Sequence, residues 1–145
     1  MFSRTTEYAL RAMVLLSQTE GRATATEIAE QTRVPVRYMS KVLQTLSESG
    51  LVDSQRGPNG GFWLSRVAEE ITLLDVVDCF EPIERITKCP IDLPEHCDHL
   101  CPLHIEMDQL ANIARERLGS TTLSSMMDKS IVPLGLKLKS HKSDN

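Results

Sequence analysis

Three of the chain's four cysteines, Cys89, Cys97 and Cys101, share one short stretch in the spacing C-x7-C-x3-C, and His104 lies on the far side of Cys101 with two residues between. Thiolate sulfur and imidazole nitrogen are good donors for iron and other soft metals. The stretch TKCPIDLPEHCDHLCPLH, residues 87–104, holds three prolines among polar residues and therefore reads as a loop. A loop can gather several thiolates without a rigid scaffold, which suits an iron–sulfur cluster. Structural zinc sites usually combine two short-spaced C-x2–4-C pairs, and two such pairs are absent here. His96 and His99 lie nearby. The spacing alone leaves three readings open: a metal or cluster site, a thiol redox sensor, or unligated surface groups. Cys79 falls on a predicted helix outside this stretch and reads as a packed thiol.

A second constellation lies in the first half of the chain. Over 36–49, Met39, Val42, Leu43 and Leu46 recur at i, i+3, i+4 and i+7, and Arg37, Ser40, Lys41 and Gln44 recur at the same spacing. On a helix the two stripes point in nearly opposite directions. One packs inward, and the other offers cations, a hydroxyl and an amide to base edges and phosphates in a major groove. Arg33 and Tyr38 flank this stripe as further candidate DNA contacts. Downstream, Leu51–Ser54 and Phe62–Ser65 read as strands around Gln55-Arg56-Gly57-Pro58-Asn59-Gly60-Gly61. Asn59-Gly60-Gly61 is expected to supply the positive φ values of a hairpin turn. A tight tip carrying Arg56, Asn59 and Gly60 suits entry into a narrow minor groove.

Several elements must position these groups. Residues 4–18, with Tyr8, Ala9, Ala12, Met13, Leu15 and Leu16 apolar, predict a helix closed by Gly21. Thr24 and Glu27 have the form of a capping box opening a helix over 25–32, with Ile28 and Ala29 buried. Arg33-Val34-Pro35 is a turn, and Gly50 ends the helix after it. Thr72 caps a helix with Leu73, Val76, Val77 and Phe80 inward, stopped at Glu81-Pro82. A longer helix over 102–118, closed by Gly119, carries Leu103, Met107, Leu110, Ala114 and Arg117 in seven-residue alternation. That narrow apolar seam predicts pairing with a second copy. Thr121 and Thr122 then start a short helix with Leu123, Met126 and Met127.

The 145 residues suffice for one small domain and an extension, and aromatics are only 4% of them, so aliphatic residues and methionine must fill a mainly helical core. The net charge of −4 is unevenly spread: residues 1–66 carry eight Lys/Arg against six Asp/Glu, and residues 67–145 eight against fourteen. A mildly basic half beside an acidic half fits a DNA binder with a separate sensing or pairing region. No signal-peptide pattern opens the chain and no run approaches a membrane span, so a cytoplasmic protein is expected. Cysteines in that compartment serve as ligands or sensors rather than disulfides. No G-x-G-x-x-G, full P-loop or Ser-His-Asp ordering points to an enzyme, and GPNGG lacks the helix and Lys-Ser/Thr of a phosphate loop. The expected fold is mainly α with a small β-hairpin wing. It divides into a winged helix-turn-helix over 1–80, a cysteine-bearing loop over 81–102, a dimerisation helix and short C-terminal helix over 103–132, and a disordered tail over 133–145.

Together EYALRAM, IAEQTRVPVRYMSKVLQTLSESGLV, RGPNGGFWLSR, ITLLDVVD and the three-cysteine loop before a long helix resemble the IscR/NsrR (Rrf-two type) family of bacterial winged-helix transcription regulators. The resemblance runs over residues 1–130 and implies a homodimer with crossing long helices on a palindromic double-stranded operator. It further implies a 2Fe–2S or 4Fe–4S cluster held by Cys89, Cys97 and Cys101. The fourth ligand in the family is either a histidine placed as His104 is, or a first-helix carboxylate, here Glu7 of the partner subunit. The implied signal is nitric oxide, redox or iron–sulfur status, read out as a change in spacing of the recognition helices. The alternative is a cluster-free regulator switched by thiol oxidation or a partner protein.

Overall fold

A computed structural model describes residues 2–90 and 99–127 of the chain. The expectations for Cys97, His96 and the 133–145 tail lie outside the described residues. Helix α1 spans Arg4–Ser17, opened by the Ser3 hydroxyl accepting from the Thr6 N–H. It buries Ala9, Ala12, Met13, Leu15 and Leu16. The helix stops before Gly21, which instead turns the chain toward α2 at φ +84°. Helix α2, Ala25–Thr32, begins with the reciprocal Thr24–Glu27 capping box. It ends at Arg33, a non-glycine residue in the left-handed region at φ 56°. The Val34 N–H donates to the Ala29 carbonyl at 2.9 Å, and the Val34 side chain is buried, so burial offsets that backbone cost.

Pro35 is the N-cap of α3, Val36–Glu48, which starts where the sequence places it. The apolar stripe of α3 is buried as its spacing predicts, at Met39, Val42, Leu43 and Leu46. Gly50 then reverses the chain at φ +73°. Strands β1, Val52–Gln55, and β2, Gly61–Leu64, pair antiparallel from Val52↔Leu64 to Gln55↔Gly61. The tip differs from expectation in its backbone. The positive φ values belong to Gly57 (+109°) and Gly61 (+146°), not to Asn59 or Gly60. Glycine stands at position 60 for another reason: a Cβ there would lie 2.2 Å from the Gln55 carbonyl oxygen.

A 3-10 turn over Ala68–Glu70, absent from the sequence expectations, leads to α4, Leu73–Asp78, which opens with a second capping box, Thr72–Asp75. Val76 and Val77 are fully buried, while Leu73 and Phe80 pack partly buried against the core. Helix α5, Pro102–Gly119, has no buried residue, and α6, Leu123–Met127, returns to the winged helix. The Leu73 N–H donates to Thr121 and the Leu123 N–H to Ile71, both at 2.9 Å, and Leu123 is fully buried in the core. Each fully buried leucine or methionine contributes about 1.5–3 kcal/mol. An exposed ion pair contributes about 0–1 kcal/mol, so the core shared by α1, α2, α3, α4 and α6 carries the fold.

Ion pairs and polar bonds act instead on the strap between α4 and the cysteine stretch. Arg85 grips Asp108 of α5 through two bonds of 2.6 Å and reaches Asn112 at 2.6 Å. The Ile86 N–H donates to Asp108 at 2.9 Å, and Arg115 donates to the Ile83 carbonyl at 2.8 Å. At the other end, Glu81 accepts from the Ser3 N–H and the Thr6 hydroxyl, tying the strap to the start of α1. The bond from Arg85 holds the Asp108 carboxyl below the usual carboxylate range, and the Ser3 and Thr6 bonds do the same for Glu81. A depressed carboxyl stabilises the fold above its unfolded pKa and loses that contribution as pH falls through its folded value. Asp108→Asn should therefore lower the melting midpoint at neutral pH, with the gap to wild type closing on acidification through the carboxylate range. Thermal unfolding of both proteins across pH checks this, and a gap constant with pH would contradict it.

Candidate nucleic-acid interface and cysteine site

With the α3 stripe of Met39, Val42, Leu43 and Leu46 inside, the opposite face must be outside. Arg37, Tyr38, Ser40, Lys41 and Gln44 are all exposed. Tyr38 stands 53% accessible, high for an aromatic side chain. The face is partly organised from within. Ser40 spends its hydroxyl proton on the Val36 carbonyl at 3.0 Å, leaving oxygen lone pairs outward. The Gln44 amide nitrogen donates to Glu48 at 2.9 Å, which fixes the plane of that amide. Glu48 was not singled out from the sequence, although its i+4 relation to Gln44 is the signal that could have found it. Arg33 is exposed where α2 turns into α3.

In the wing, Arg56 and Asn59 are exposed and Gly60 is partly covered. The Gly60 N–H donates to the Gly57 carbonyl at 2.9 Å and closes the tip. Two further residues belong here that the sequence did not reveal. Arg22, from the α1–α2 connection, donates to the Asn59 carbonyl at 3.1 Å and lies 4.5 Å from the centre of the Trp63 ring. Residues so far apart in the chain meet only through folding, and no local pattern announces them.

The cysteine site is described in part. Cys89 is buried. Cys101 is the N-cap of α5, and its sulfur lies 3.3 Å from His104 Nδ1 on the first turn of that helix. The fold thus brings together one of the three expected cysteine ligands and the candidate histidine. Cys97 lies outside the described residues, and His99 is exposed. Cys79 is apart from these groups: its thiol donates to the Asp75 carbonyl at 3.1 Å. Burial pushes that thiol up, a bond with Ser49 opposes it, and the charges of Asp75 and Asp78 add smaller upward pushes, so it stays protonated at neutral pH. Glu7 is exposed on α1 and paired with Arg11 one turn on.

No helix among the described residues is long and apolar enough to cross a membrane. The family model named Rrf2, iron-dependent transcriptional regulator, matches residues 2–129. A protein of Aquifex aeolicus (strain VF5), named for the HTH type of transcriptional regulator, is 30% identical over 132 residues, covering 88% of this chain and 92% of its own. The structure of CymR, the global cysteine regulator of B. subtilis, superposes with a TM-score of 0.70 at 27% identity, over 87% of this chain and 95% of that one. IscR of T. potens superposes at 0.73 with 25% identity, over 88% and 85%. A family model that spans nearly the whole chain, and relatives that share its helices and wing along most of their length, give one conclusion: the chain belongs to the Rrf2 family of DNA-binding winged-helix transcriptional regulators, a family of regulators and not of enzymes.

Proposed function

We propose that this regulator binds a palindromic operator as a homodimer, with α3 in the major groove and the wing tip at the adjacent minor groove, and that it senses its signal through the cysteine site. The observation that carries the DNA reading is the split of α3 into a fully buried apolar stripe and an exposed face of Arg37, Tyr38, Ser40, Lys41 and Gln44. Arg37 and Lys41 neutralise phosphates, and Gln44 and Ser40 present donors and acceptors to base edges. Arg33 adds a cation beside α3, and Arg56 one at the tip with Asn59 and Gly60, where a narrow groove concentrates negative potential.

Support for a dimer comes from α5. Leu103, Met107, Leu110 and Ile113 are exposed large apolar side chains on a helix with no fully buried residue. Leu110 is 66% accessible, an uneconomic position unless a second copy covers it.

The donor set fits a cluster: a buried thiol at Cys89, a thiol and an imidazole side by side at Cys101 and His104, and a third thiol in the sequence at Cys97. Cys89, Cys97 and Cys101 would hold an iron–sulfur cluster, with His104 or Glu7 of the partner subunit as fourth ligand. When bound, such a cluster supplies a centre reactive toward oxidants and nitric oxide. The chain's part is transmission. The strap before Cys89 is tied to α5 by Arg85 and Arg115 and to α1 by Glu81, so a changed loop pulls on the elements that space the two α3 helices. A coupling of about 1–3 kcal/mol would suffice to switch DNA affinity. A second reading, a thiol switch without a cluster, is favoured by the same Cys101–His104 contact, which places a partly exposed thiol within 3.3 Å of a ring nitrogen.

Three outcomes are expected. Arg37→Ala and Lys41→Ala should each weaken DNA binding and reduce the slope of affinity against salt by about one; titrations at several salt concentrations that match wild type would remove α3 from the interface. Leu110→Glu should give a monomer in equilibrium sedimentation, because it places like charges in a symmetric apolar seam, whereas a wild type already monomeric at micromolar concentration defeats the dimer. Cys89→Ser, Cys97→Ser and Cys101→Ser, purified without oxygen, should each lose most visible absorbance and iron, while Cys79→Ser keeps both. A wild type free of iron after anaerobic reconstitution leaves the thiol switch as the sensing mode.

A further inference from the structure

The α1–α2 connection makes contacts to the wing that DNA recognition by α3 and Arg56 does not call upon. The Ala23 N–H donates to Phe62 at 3.1 Å and the Phe62 N–H to Ala23 at 2.8 Å, so Ala23 forms a one-residue rung on the free edge of β2. Gly61 lies against this rung at φ +146°, and a Cβ there would stand 3.0 Å from the Ala23 carbonyl oxygen. One residue earlier, Arg22 covers the Trp63 ring at 4.5 Å and donates through Nη1 to the Asn59 carbonyl at 3.1 Å. Phe62 and Leu64 pack toward the core, so Trp63, between them on the strand, takes the other face of the hairpin, where Arg22 covers it.

We propose that Arg22 is a positioning residue for the wing: stacked on Trp63 and bonded to Asn59, it clamps the tip to the body of the domain so that Arg56 approaches DNA in a set orientation. The proposal rests on the reading of the wing as a DNA contact. Two four-residue strands make a hairpin that is marginal by itself. The Ala23 rung holds its middle, and Arg22 reaches past that rung to the tip. A planar guanidinium can stack through its face and donate through its edge at the same time, which a lysine ammonium cannot. A tip ordered before binding does not have to be ordered during it, and affinity gains by that difference. Arg22 is exposed, so its removal leaves the core intact.

The experiment uses the full chain and a duplex enriched by the wild-type protein from a random-sequence library. Arg22→Ala, Arg22→Lys, Trp63→Leu and the Arg22→Ala/Trp63→Leu double variant are titrated with it. Trp63 is the sole tryptophan, so acrylamide quenching of its emission in the free protein reads the clamp directly in the two Arg22 variants. Arg22→Ala, Arg22→Lys and Trp63→Leu should each weaken binding by about three- to tenfold, with the double variant no worse than either single one. Quenching should rise in both Arg22 variants. A direct phosphate contact would overturn the proposal and has a different signature: Arg22→Lys retains wild-type affinity, Trp63→Leu is harmless, and Arg22→Ala lowers the salt slope by about one. Unchanged quenching in Arg22→Ala shows that the clamp does not exist. A wild type that enriches no duplex overturns the DNA role of the wing, and the positioning role with it, while the quenching result still decides the clamp.

Discussion

Burial of one stripe of α3 constrains everything else in this molecule. Met39, Val42, Leu43 and Leu46 are removed from water against α1 and its neighbours, at about 1.5–3 kcal/mol for each large side chain. A helix cannot rotate about its axis without exposing such a stripe. The burial therefore sets which residues face outward, and the exposed polar face follows from the apolar one. The turn before α3 obeys the same constraint: Arg33 accepts a left-handed backbone because Val34 must enter the core two positions before the helix starts.

The molecule has two kinds of attachment, apolar burial and polar bonding. Apolar burial joins α1, α2, α3, α4 and α6 into one body, with Leu123 returning from beyond α5 to complete it. The strap and α5 are held instead by Arg85, Asp108, Asn112 and Arg115. Charged contacts of this kind are directional and weak in water, and they respond to pH and to their neighbours. Contacts of this kind tolerate displacement better than a packed core, where a shift of even a methylene is costly. The wing stands between the two cases, with its base joined to the body by backbone hydrogen bonds and its tip reached by an arginine.

The cysteine site lies at the junction of these regimes. Cys101 caps α5, so any change at its sulfur acts at the end of the helix that carries the exposed apolar seam. Cys89 follows the strap that Asp108 grips. Cys79, by contrast, is held on α4 with its thiol kept protonated by burial and two nearby carboxylates. Chemically similar side chains are thus given different surroundings by the fold.

Local chemistry was legible in the sequence wherever a signal was complete within about one turn or one heptad. The Thr24–Glu27 box, the two stripes of α3, the proline and glycine that bound it, and the apolar positions of α5 each depend on neighbours a few residues away, so spacing alone announces them. The glycine tip was recognised as a hairpin, and of the residues expected to carry positive φ, Asn59, Gly60 and Gly61, only Gly61 does. Strand pairing set the register from Val52↔Leu64 to Gln55↔Gly61, and the second positive φ stands at Gly57. What only the tertiary structure decided are the contacts between distant segments: Arg22 on Trp63 and Asn59, Arg85 on Asp108, Glu81 on Ser3, and Leu123 in the core. Each joins residues whose separation along the chain bears no relation to any helical or strand period. Their meeting is a consequence of how the elements pack, and no one-dimensional pattern encodes it.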